Sequence, residues 1–223
     1  EESPIIGELS IKMAEDLPEF TGFDHYLYAS GGARVEGAEL TATLIDASGF
    51  EKVEGTVTLS PLDNGTYEIN GQTFDKVILA CGAWLGQTLE PLGFEVDVRP
   101  QKGQLRDYFF EGMDTGRLPV LMPEGELDVI PFAGGKISVG ASHENDQGFD
   151  LTVDETVLAS LEEEAKTYFH DLSTAKSFSE RVGTRAYTSD FSPFFGEVPE
   201  LEGVFVASGL GSSGLTTGPL IGK

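Results

Sequence analysis

The stretch Gly203-Val204-Phe205-Val206-Ala207-Ser208-Gly209-Leu210-Gly211-Ser212-Ser213-Gly214-Leu215-Thr216-Thr217-Gly218-Pro219 decides how the chain is read. Residues 204–207 form a short apolar run with the composition of a buried strand. Gly209, Gly211 and Gly214 follow at G-x-G-x-x-G spacing, which suits a loop whose backbone must come close to another group. Ser212, Ser213, Thr216 and Thr217 add hydroxyls where a helix can begin. A strand, a glycine loop and a helix N-terminus in succession present bare N–H groups and a positive dipole end. That combination suits a phosphate or another electron-rich ligand edge. Taken alone, the same spacing also describes a plain Gly/Ser turn. The stretch lies near the end of the 223 residues, with little chain left to complete a βαβ unit.

A similar pattern stands upstream. Lys76-Val77-Ile78-Leu79-Ala80-Cys81 is another apolar run, ending in Gly82-Ala83-Trp84 with a helix expected from about Leu85. Two strands running into glycine at their carboxyl ends mark the edge where open α/β sheets bind ligands. Before them, residues 5–28 mix helix-like and irregular stretches without legible chemistry, and 37–47 read as a helix with Leu40, Leu44 and Ile45 on a core-facing stripe. Residues 55–59 and 66–70 read as strands around the turn Asp63-Asn64-Gly65.

From Glu95 the pattern becomes antiparallel β, with short strands expected over 94–98, 103–110, 118–122, 127–132 and 136–140. A helix follows, for which Thr152 and Glu155 have capping-box spacing and Val157, Leu158, Leu161, Ala165, Tyr168 and Phe169 form the buried side. Residues 178–188 then read as a long strand bearing Arg181 and Arg185. The fold class is therefore α/β (α+β overall). The expected domains are a partial Rossmann-like domain over 1–93 and 190–223, and an inserted, mostly antiparallel domain over 94–189.

Composition narrows the function classes. Lys and Arg total 14 against 38 Asp and Glu, a net charge of -24. Such a surface repels nucleic acid and anionic membranes, which need a basic footprint. A small anion can still bind where backbone amides or one arginine are placed locally. The single cysteine, Cys81, excludes an internal disulfide and fits a reducing cytoplasm, and the three histidines have no zinc spacing. No apolar run approaches the ~20 residues of a membrane-spanning helix.

Four motifs can be read together: residues 77–84, Arg99-Pro100-Gln101-Lys102-Gly103-Gln104, residues 181–190 with Pro193 and Gly196, and the loop over 209–219. In this order and spacing the chain resembles the FAD-dependent amine and amino-acid oxidoreductases of the D-amino-acid oxidase type, with glycine oxidase and sarcosine oxidase, over most of residues 31–223. The resemblance implies an enzyme that oxidises a C–N bond of an amino acid or related amine by hydride transfer to flavin N5. It also implies that the chain is a piece of a longer protein. Such proteins open with a strand, a G-x-G-x-x-G turn and an acidic residue, and they close with a longer final helix. Weak or absent FAD binding and no activity are therefore expected of these 223 residues alone.

By the same resemblance, Gly209, Gly211, Ser212, Ser213, Gly214, Leu215 and Thr216 line the flavin. Val57 contacts adenine through its backbone, and Ala80, Cys81, Gly82 and Trp84 lie along the adenosine side, with packing an equal role for Trp84. Arg185 pairs with the substrate carboxylate through its planar fork; an ion pair with a carboxylate such as Asp190 is the plainer reading. Arg181 falls on the same side of a regular strand and reads as a structural ion pair or a second anion contact. Tyr187, His143 and Tyr108 are candidates for the pocket wall, and Lys102 and Gln104 for an architectural turn. Two further functions stay open: flavin-dependent oxidation of a 2-hydroxy compound or glycerol phosphate, and a non-catalytic ligand-binding module.

Overall fold

The computed structural model describes residues 7–223, apart from the side chain of His170. In chain order its strands are β1 (Leu9–Met13), β2 (His25–Ala29), β3 (Leu59–Pro61), β4 (Tyr67–Ile69), β5 (Gln72–Phe74), β6 (Val77–Leu79), β7 (Arg99–Phe109), β8 (Asp128–Pro131), β9 (Lys136–Gly140), β10 (Lys176–Tyr187), β11 (Phe194–Glu197) and β12 (Val204–Ser208). Its α-helices are α1 (Gly37–Ser48), α2 (Leu85–Leu89), α3 (Glu155–Tyr168) and α4 (Gly214–Ile221). Among the described residues no helix is long and apolar enough to cross a membrane.

The chain divides into two compact units. The first, made of the described part of 1–36 with 103–144 and 151–183, contains a sheet of order β10-β7-β9-β8. β9 is buried on both faces, and its Ile137 and Val139 join Tyr108, Phe110, Val129 and Phe169 in one apolar core. The second unit, residues 37–102, 145–150 and 184–223, holds the sheet β11-β12-β6 and the small sheet β3-β4-β5. Its core gathers Leu79, Leu85, Leu89, Val98 and Val204. Fully burying one such side chain is worth roughly 1.5–3 kcal/mol, so each core rests on its own set of apolar contacts.

These units are cut differently from the expected domains. The described part of 1–36 packs with the antiparallel sheet rather than with 37–93. The Thr21 N–H donates to Tyr168 O at 2.8 Å, and the Phe20 ring meets Phe169 edge-on at 5.9 Å. Aromatic burial against the end of α3 thus takes this segment. Where mixed helix was expected, β1 and β2 form an antiparallel hairpin with Leu9 opposite Ala29 and Met13 opposite His25. Residues 5 and 6 of that expectation lie outside the described residues.

Other local differences have similar causes. α1 forms, but it buries no residue, and Leu44 is 60 % exposed. Its apolar stripe has no covering element among the described residues. Residues 55–58 and 94–98 are irregular chain, and 118–122 contribute one bridge, Leu121 to Val129. The expected turn around Lys102 and Gln104 is part of the long strand β7.

The cap of α3 is Asp154, whose carboxylate accepts from Thr156 N and Val157 N. The buried Gln104 accepts from Asp154 N at 2.7 Å, so a side chain of β7 satisfies the N-cap amide of α3. Glu155 instead pairs with Arg106 at 2.5 Å.

Candidate functional site

The site begins with two neighbouring parallel strands. β12 runs beside β6 in parallel, with Val204 opposite Val77 and Val206 opposite Leu79. Their carboxyl ends therefore open on one edge. Ser208, buried at the end of β12, donates its hydroxyl to Gly82 O at 2.8 Å. This bond ties together the two glycine turns that the sequence places more than a hundred residues apart. A buried hydroxyl satisfied in this way also fixes the relative height of the two turns.

Backbone geometry explains the glycines. Gly82, Gly209 and Gly211 all have left-handed φ, at +57°, +76° and +54°. A Cβ on Gly209 would stand 2.8 Å from Thr188 Cγ2, so this residue is held against the turn that follows β10. At Gly82 a Cβ would meet nothing within 4 Å, which leaves open room above that turn. Gly211 N–H donates to Ala186 O at 2.7 Å and fastens the loop to the end of β10. Arg185, partly buried, is the residue just before that fastening point.

α4 starts from this loop. Ser213 occupies its N-cap position, but its hydroxyl donates to Leu210 O at 2.8 Å and makes no cap bond. Thr216 N and Thr217 N donate to Ser213 O. Among the described residues no backbone carbonyl accepts from Gly214 N or Leu215 N, the first amides of the helix. Two unpaired donors at a positive helix end, beside glycine backbone with open space, fit the electron-rich edge of a flavin ring.

The structure thus brings Ala80, Cys81, Gly82 and Trp84 to the same sheet edge as Gly209, Gly211, Ser212, Ser213, Gly214, Leu215 and Thr216. Cys81 is a free, partly buried thiol. Trp84 is 45 % exposed and stacks on Phe149 with ring centroids 4.7 Å apart. Val57 lies half-exposed in irregular chain ahead of β3.

The turn following β10 was legible only in outline. Asp190 accepts from Ser192 N at 3.0 Å and from Thr188 Oγ1 at 2.9 Å, and these bonds hold its carboxyl below the usual range. Ser189 donates to Asp97 through its N–H, at 3.0 Å, and through its hydroxyl. The bonds from Ser189 likewise lower the Asp97 carboxyl. The Asp-Phe-Ser-Pro run is a turn signal, but it does not reveal the positive φ of Phe191.

Arg181 belongs to the other unit and is committed to structure. Its Nη2 lies 2.8 Å from Asp107 Oδ1 and 2.9 Å from Ser138 Oγ. Burial pushes the Asp107 carboxyl up, but hydrogen bonds from Ser138, Arg181 and Ser179 outweigh it and hold the carboxyl below its ordinary value. Tyr108 is also structural: buried, it donates to Glu162 Oε2 at 2.8 Å, and burial and that carboxylate raise its hydroxyl. His143 Nδ1 stands 3.2 Å from Glu126, and Lys102 Nζ stands 3.5 Å from Asp150.

Comparison with known proteins shows the family. A family model described as FAD dependent oxidoreductase (DAO) matches residues 7–223. The oxidoreductase YurR of Bacillus subtilis (strain 168) is 35 % identical over 236 residues, covering 100 % of this chain and 63 % of YurR. Glycine oxidase of Pseudomonas aeruginosa is 30 % identical over 208 residues, 89 % of this chain and 56 % of that protein. The crystal structure of iminodiacetate oxidase (IdaA) from Chelativorans sp. BNC1 superposes with a TM-score of 0.90 at 30 % identity. That match covers 99 % of this chain and 63 % of that structure. The chain therefore spans less than two thirds of the length of these relatives.

Proposed function

The chain belongs to the DAO family of FAD-dependent oxidoreductases, and from this membership we propose that it forms the flavin-ring and substrate-anchoring side of an enzyme oxidising the C–N bond of an amino acid or related amine. The observation that carries this reading is the Ser208–Gly82 bond between parallel β12 and β6, with Arg185 beside the point where the glycine loop is fastened.

Each residue then has a task. Gly209, Gly211, Ser212, Ser213, Gly214, Leu215 and Thr216 line the ring, and the free amides of Gly214 and Leu215 face its electron-rich edge. Ala80, Cys81, Gly82 and Trp84 run along the adenosine side, and the Val57 backbone meets adenine. The Arg185 guanidinium grips the substrate carboxylate through two parallel N–H groups and so orients the α-carbon. FAD, when bound, supplies the acceptor for the hydride that leaves that carbon. The imine left behind is hydrolysed in water, and no side-chain base is needed if the amine binds neutral.

A carboxylate anchor would serve a 2-hydroxy acid as well. The relatives named for their reaction, a glycine oxidase and an iminodiacetate oxidase, favour the amine. The test is Arg185→Ala in the full-length, FAD-loaded protein. A fall in kcat/KM of more than about tenfold, ~1.4 kcal/mol of transition-state binding, is expected for an amino acid. A smaller fall removes Arg185 from the substrate site.

A further inference from the structure

A ring stack stands beside the proposed substrate anchor. Arg185 and Tyr187 are two residues apart on β10, so strand alternation sends both side chains to the same side. The Tyr187 ring is stacked on Phe191, with centroids 6.1 Å apart and planes 27° from parallel. Phe191 occupies an unfavourable place for its type. Its φ is +58°, a left-handed backbone that bulky side chains rarely adopt, and the residue is 75 % exposed. Neither local conformation nor burial favours a phenylalanine at this position.

The turn holds the Phe191 backbone firmly. Phe191 N–H donates to Thr188 O at 3.1 Å, Asp190 clasps Ser192 and Thr188, and Ser189 is bound by Asp97. Gly209 presses on the same turn through its contact with Thr188. The backbone that carries the ring is therefore fixed with respect to both the anchor strand and the glycine loop, all within one compact unit. Strain retained at an exposed, tightly clasped aromatic points to a ligand contact rather than to packing.

We infer that Phe191, together with Tyr187, forms an aromatic wall that selects amine substrates bearing an apolar side chain or N-substituent over glycine. This rests on the reading of Arg185 as the carboxylate anchor. With the carboxylate held in the guanidinium fork, a substituent on the α-carbon or nitrogen lies within reach of the neighbouring ring faces. An apolar group there removes aromatic surface from water, whereas glycine leaves it wet.

The experiment compares kcat/KM for glycine, N-methylglycine, alanine, leucine and phenylalanine, in both enantiomers, using the full-length, FAD-loaded protein and its Phe191→Gly variant. Glycine accepts the left-handed backbone, so the melting temperature of the variant should hold or rise. The preference for the best apolar substrate over glycine should fall about tenfold, mainly through KM. If the folded, FAD-loaded variant keeps that preference within about threefold while the parent protein oxidises amines, the wall is overturned and the anchor survives. A parent protein that prefers glycine to every apolar substrate overturns the wall as well. If no amino acid reduces the flavin of the parent, wall and anchor fall together.

Discussion

Arg181 and Arg185 stand four residues apart on one strand, yet their chemistry diverges. Arg181 is spent on Asp107, Ser138 and, at 3.7 Å, Glu36. Asp107 is the centre of that group, because Ser179 and Ser138 also donate to its carboxylate. With its folded-state value lowered, Asp107 stabilises the fold above its unfolded pKa of ~3.9, and that contribution is lost as pH falls through the folded-state value. Asp107→Asn should cost about 1–3 kcal/mol at pH 6, less than a fully buried pair because the Arg181 side chain is 42 % exposed. In urea unfolding followed toward lower pH, the gap between parent and variant should close below about pH 4. A gap that stays constant would remove the carboxylate charge as its source.

At the scale of elements, α3 shows how a local signal is overridden by a distant partner. Capping-box spacing pointed to Thr152 and Glu155, but the helix begins at Glu155 with Asp154 as its cap, Gln104 on β7 accepts the Asp154 N–H, and Glu155 meets Arg106. Asp154 becomes the cap because its carboxylate reaches the amides of Thr156, at 2.8 Å, and Val157. Asp154→Ala should therefore lower stability by about 1 kcal/mol, read as a smaller urea midpoint at unchanged m-value. An unchanged midpoint would show that these amides are as well satisfied by water. The glycine loop before α4 was read more fully, since left-handed turns and close approach restrict the residue type directly. Its Ser213 was legible as an N-cap position, although the direction of its hydroxyl was not.

For the whole molecule, the net charge of -24 bears on the predicted FAD binding. FAD carries a diphosphate, so the general field of the chain opposes its approach within a Debye length of ~10 Å. In the proposed reading its glycine turns line the flavin ring. Calorimetric titration of the 223-residue chain with FAD should accordingly give a dissociation constant above the micromolar level. Added salt should tighten it by screening the repulsion. Sub-micromolar binding would overturn this view of the site. What the sequence by itself determined was the family, the two apolar strands that end in glycine, and Arg185 as the candidate anchor. Those signals are carried by residue type and short spacing, and both survive without knowledge of the fold. Only the tertiary structure decided that Ser208 joins the two turns, that Arg181 is consumed by Asp107, and that the Phe191 ring is held out beside Tyr187. The first two depend on partners 126 and 74 residues away, and the third on a backbone angle. A linear pattern of hydrophobicity records neither kind of information.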